Sequence, residues 1–101
     1  MNASEIQTKL TEERTALQAF IGLLEREQQI LLSPDTEPLL DLSNEKTHAA
    51  EALTALVKQR PQYISAETGK IEAWLRSNAA AALKVWQDIQ KMGLQDRKSN
   101  V

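Results

Sequence analysis

The sequence has no cysteine among its 101 residues. That excludes disulfide staples, thiolate catalysis and thiolate metal sites together. Only three glycines are present, at 22, 69 and 93, each standing alone, so no glycine-rich phosphate loop exists. Three prolines and four aromatic residues are also few. No apolar run reaches the ~18 residues that a membrane-spanning helix needs. The N-terminus MNASEIQTKL lacks a basic start followed by an apolar block, so no secretory signal is expected, and the expected location is the cytoplasm. A formal net charge of −2 lacks the surplus of lysine and arginine by which proteins hold nucleic acid.

What remains favours helix. Alanine, leucine, glutamate, lysine and glutamine dominate, and apolar residues recur at steps of three and four. In the stretch Leu39 to Arg60, the residues Leu39, Leu42, Lys46, Ala49, Leu53 and Leu56 fall on one helical stripe, with Lys46 where another apolar residue would be expected. Upstream, Ile6, Leu10, Leu17, Phe20, Ile21, Leu24 and Leu31 form a stripe, with Ala16, Leu23 and Ile30 in a row beside it. Ser4 and Gln7 have capping-box spacing, which marks a helix start. Ser33 to Pro38 interrupts both stripes with two prolines and capping-type residues, a connection short enough to join antiparallel neighbours. Pro61 ends the second helix in this reading, because the residue before a proline is pushed out of the helical region.

The expected fold is all-α and occupies residues 1–101 as one domain. Long helices over about 4–32 and 38–60 make an elongated antiparallel hairpin. A short helix over about 68–76 and another over about 79–92, N-capped by Asn78, complete a bundle. Gly93 is expected to weaken or stop this last helix, and the residues beyond it, with too little apolar content to pack, are expected either to fray or to continue into a further segment.

The stripes also predict a register. If Leu31 faces Leu42, then Glu27 faces Lys46, Leu24 faces Ala49, Phe20 faces Leu53, Leu17 faces Leu56 and Glu13 faces Arg60. Both acidic interruptions of the first stripe then meet both basic interruptions of the second. Glu27, Lys46, Glu13 and Arg60 are therefore read as register-setting pairs.

Chemistry-bearing constellations are sparse. His48, the only histidine, points away from the stripe and has no metal-ligand pattern around it. No triad signature accompanies the serines and aspartates, and paired carboxylates such as Glu12 and Glu13 are common on solvated helices. No enzyme activity, cofactor or metal is expected. Trp74 and Trp86 are large enough to anchor either a core or a partner helix, and at least one is expected in the core. On the last helix Trp86, Ile89 and Met92 form the candidate client or self-association surface, the latter giving a homodimer.

The block LLEREQQILLSPDTEPLLDLSNEKTHAAEALTALVKQR, followed by EAWL and WQDI, resembles the FlgN family of bacterial flagellar export chaperones. The residues that carry the resemblance are Leu24, Glu25, Leu32, Leu39, Leu42, Glu45, Lys46, Leu53, Leu56, Arg60, Trp74, Leu75 and Trp86. It implies binding of the hook–filament junction proteins FlgK and FlgL before export, and their delivery to the export machinery, without catalysis. In that family the client surface lies in a C-terminal amphipathic segment after an N-x-x-N-G-like motif. Asn100 stands at the first asparagine of that motif, so the resemblance implies that the client segment would follow it. A generic helical adaptor or coiled-coil interaction module fits the periodicity equally well. The two readings differ in the partner that each should bind.

Overall fold

A computed structural model describes residues 2–35 and 37–99. Four α-helices follow in order: α1 (Ala3–Leu31), α2 (Leu39–Tyr63), α3 (Ile71–Asn78) and α4 (Leu83–Ser99). Two 3-10 turns, Thr68–Lys70 and Ala80–Ala82, lead into α3 and α4. Among the described residues there is no strand. The molecule measures 52 × 24 × 19 Å, with a radius of gyration of 15.8 Å. A compact chain of this length would be near ~13 Å. The hairpin of α1 and α2 accounts for the difference, since α1 alone has 29 residues.

The start of α1 lies earlier than the Ser4 box predicts. Asn2 is the cap, its Oδ1 accepting the Glu5 N–H at 2.8 Å, and Glu5 places a negative charge in the first turn. At the other end the Leu32 and Ser33 N–H groups donate to the carbonyls of Gln28 and Ile30. The loop is then braced by its own polar residues. Ser33 Oγ accepts from the Asp35 N–H at 3.3 Å, and Asp35 Oδ1 accepts from the Glu37 N–H at 3.1 Å. Pro38 opens α2, its carbonyl accepting the Leu42 N–H. Thr36 lies outside the described residues.

Pro61 does not end α2. The helix passes through it to Tyr63, and the Ile64 N–H closes on the Arg60 carbonyl at 2.9 Å. A proline here deletes one hydrogen bond, to the Val57 carbonyl, on a side where both Val57 and Pro61 are exposed and water can substitute. The hairpin register supplies the compensation. One stripe position beyond the Glu13–Arg60 pair, Tyr63 comes opposite Leu10, and both belong to the same buried cluster. Tyr63 and Ile64 keep only 8% and 2% of their surface exposed. Burying two large side chains outweighs one solvated carbonyl.

The junction before α4 also differs from expectation. Asn78 closes α3, its Nδ2 donating to the Trp74 carbonyl at 2.8 Å, so its side chain does not cap the next helix. Ala79 leaves the helical conformation, and the chain restarts as a 3-10 turn before α4. Ala79 and Ala82 are 2% and 0% exposed, small residues that let this backbone lie directly on α1. Gly93 has no positive φ and does not stop α4, which reaches Ser99. The helix thus continues through residues 94–99, the second of the two expectations for this stretch. Asn100 and Val101 lie outside the described residues.

The core sits at one end of the hairpin. It gathers Ile6 and Leu10 of α1, Tyr63 at the end of α2 and Ile64 just after it, Ile71 and Leu75 of α3, and Val85, Trp86 and Ile89 of α4. Leu17, Trp74 and Leu83 pack against it. Toward the loop end only two helices remain, and most stripe residues there are half-buried. Leu42 is covered at 3%, but its expected partner Leu31 is 60% exposed.

Candidate functional site: the charged junction of three helices

On α1 the core face reads Ile6, Leu10, Glu13, Leu17, and Glu13 is as buried as its apolar neighbours, with 1% of its surface exposed. A carboxylate in that position must be paired. Arg60 of α2 supplies the fork: its Nε donates to Oε1 at 3.2 Å and a terminal nitrogen donates to Oε2 at 2.6 Å. The same guanidinium lies over the Trp86 ring, 4.7 Å from its centroid. Planarity lets Arg60 do both, offering an edge to the carboxylate and a face to the indole. One residue thus ties α1, α2 and α4 together.

A second ion pair joins α4 to α1. Asp88 receives Arg14 of α1 at 2.7 Å and Lys84, one turn earlier on α4, at 2.6 Å. The hydrogen bond from Lys84 first, helped by the one from Arg14, holds the Asp88 carboxyl below its usual 3.8, although desolvation opposes it more strongly than Arg14 alone favours it. This contribution to stability is present above about pH 3.8 and is lost as pH falls through the lowered value. Leu17 shares a crevice of ≈ 360 Å³ with Ile89 and Gly93, so α4 runs parallel to α1 from Glu13 and Arg14 onward.

Further along the hairpin, Lys46 Nζ lies 2.6 Å from Glu27 Oε2, and Arg26 lies 3.6 Å from Glu45. The structure therefore brings together Glu27 with Lys46 and Glu13 with Arg60. As half-exposed side chains, Glu27 and Lys46 are expected to couple by only ~0.5–1 kcal/mol. Their proposed register role predicts more than a contact. Glu27→Lys alone should lower stability, and Glu27→Lys with Lys46→Glu should recover it in a thermal unfolding cycle. Two independent, additive losses would show that the pair does not help to set register.

Tyr63 lies beside this junction. Burial first, then the Glu13 charge, raises its phenol pKa above the usual 10.0, with Arg60 acting in the opposite direction. The folded state therefore keeps the phenol proton where the unfolded chain has lost it. This contribution is complete below about pH 10 and declines as pH rises through the folded value. The expected result is a steeper loss of melting temperature above pH 10 in the native chain than in Tyr63→Phe. Parallel curves for the two proteins would contradict it.

The three residues read as an interaction surface are placed differently from one another. Trp86 and Ile89 retain 3% and 6% exposure and are covered within their own chain, whereas Met92 is half-buried. Neither Trp86 nor Ile89 can meet a client or a second copy unless α4 leaves its seat. Trp86 is the core tryptophan, and Trp74 packs half-buried at its margin. His48 is exposed, and among the described residues no group of three His, Asp or Glu side chains is placed to hold a metal ion. No helix there is long and apolar enough to cross a membrane.

Sequence reasoning missed the Arg14–Asp88 pair and the stacking of Arg60 on Trp86. The i,i+4 spacing of Lys84 and Asp88 hinted at a charged rim on α4, but nothing local pointed to a partner 74 residues away. A family model described as FlgN protein matches residues 1–100 of the chain. No curated protein and no solved structure matches it.

Proposed function

The chain belongs to the FlgN family, the family of flagellar export chaperones, and on that premise we propose that it binds hook–filament junction proteins of the FlgK and FlgL kind. It holds them in the cytoplasm in a form fit for export and then releases them to the export machinery. The observation that carries this reading is the family match over nearly the whole chain, supported by an elongated helical hairpin with a core at one end.

The physical task is binding. A client terminus that folds as an amphipathic helix would otherwise associate with its own kind. A helical chaperone occupies that apolar face and gives it up when the export machinery competes. Such a cycle requires no bond-making. It does require a scaffold that does not itself rearrange, and the Arg60 junction supplies one by fastening three helices.

Deleting the gene in its host provides the test. The expected result is loss of the junction proteins from the culture supernatant, with incomplete filaments and reduced motility, restored by the intact chain. Normal export of both junction proteins in the deletion strain would overturn the assignment of clients. Failure of a different helical complex instead would favour the generic adaptor.

A further inference from the structure

The loop end of the hairpin carries surface that the three-helix junction leaves unused. Among the described residues, three of the four exposed large apolar side chains lie there: Leu31 at 60%, Leu32 at 89% and Leu40 at 73%. Scattered exposed leucines are ordinary, whereas here three stand within ten residues of sequence, on the two sides of one loop, the concentration of apolar surface from which contact surfaces are built. Leu31 ends α1 and Leu40 lies in the first turn of α2. Leu32 is the helical C-cap of α1, and the loop that follows is braced through Ser33 and Asp35.

The rim has one sign of charge. From Gln28 to Glu45 the sequence contains Asp35, Glu37, Asp41 and Glu45 and no lysine or arginine. Glu45 is met by Arg26, but Asp35, Glu37 and Asp41 are exposed and take part in no ion pair among the described residues. The two features together select an occupant. A second copy docking symmetrically would set these acids against their own counterparts. An anionic lipid surface would repel them. A segment with apolar residues flanked by lysine and arginine satisfies both the leucines and the rim.

We propose that the hairpin tip docks a basic amphipathic helix of another protein, with Leu32 and Leu40 giving the apolar contact and Asp35, Glu37 and Asp41 facing its cations. The site is distinct from the helical junction and does not depend on which client the chaperone carries.

The test uses the full chain, isotope-labelled for NMR, and a synthetic helical peptide built of leucine and lysine. Its counterpart with glutamate for lysine is the control. The expected result is shifts centred on residues 30–42, weakened by added salt and absent with the glutamate peptide. Leu32→Ser with Leu40→Ser should weaken binding at least about tenfold while leaving the helical circular dichroism unchanged. Shifts centred elsewhere, or undiminished binding by the double variant, would overturn the proposal. So would a concentration-dependent dimer that the same variant abolishes, or binding of the tip to phosphatidylglycerol vesicles.

Discussion

Arg60→Ala is expected to lower stability by about 3–5 kcal/mol, because it leaves the Glu13 carboxylate buried without a partner. A small protein has roughly 5–15 kcal/mol in total, so this is a large share. The melting temperature should fall by more than about 10 °C. The loss has two sources, the unpaired carboxylate and the indole face that Arg60 covers at 4.7 Å. A second variant separates them. Glu13→Leu with Arg60→Met fills the same space with apolar groups, and replacement of a buried pair in this way is often neutral or better. Chemical denaturation of the three proteins should therefore place the double variant well above Arg60→Ala. If the single variant unfolds like the native chain, the junction does not hold the helices.

Trp86→Ala should be of similar size, about 3–5 kcal/mol, from loss of the largest side chain in the core. Its consequence reaches beyond the cavity. Trp86 is the contact through which α4 meets Arg60, so the variant should loosen α4 from the hairpin while α1 and α2 stay paired. Hydrogen exchange is the measurement. Protection is expected to drop across residues 83–93 and to persist in the Glu27–Lys46 half of the hairpin. Uniform loss of protection along the chain would mean that α4 and the hairpin unfold as one unit. The two substitutions should not add, since both act at one contact.

The hairpin was the most legible part of the fold. Two long stripes with period near 3.6, a proline-bounded loop and complementary charges at matching positions are all local or register-level signals. They are enough to anticipate that Glu27 lies beside Lys46, and Glu13 beside Arg60. Pro61 shows where such signals stop. Its local preference says that the helix ends, yet the buried Tyr63 and Ile64 keep it going, and that gain depends on Leu10 more than fifty residues earlier. Asn78 fails for a related reason: the side chain serves the helix behind it, because Ala79 and Ala82 must lie flat on α1.

The candidate surface was less legible. Trp86 and Ile89 have the composition of an interface, and composition alone cannot say whether a chain covers such a face itself. In the structure α4 lies parallel to α1, where Arg14 reaches Asp88, and the chain itself covers Trp86 and Ile89. The exposed leucines at the tip were hidden differently. Leu31 continues a core stripe, and only the end of the two-helix region shows that nothing in the described chain covers it.

Calorimetric titration of the intact chain with the C-terminal helical segment of its host's hook–filament junction protein tests the chaperone account most directly. The account predicts saturable binding at one segment per chain, with a negative heat-capacity change from buried apolar surface. No binding by a chain whose cooperative unfolding proves it folded would contradict the claim that this chain holds those clients.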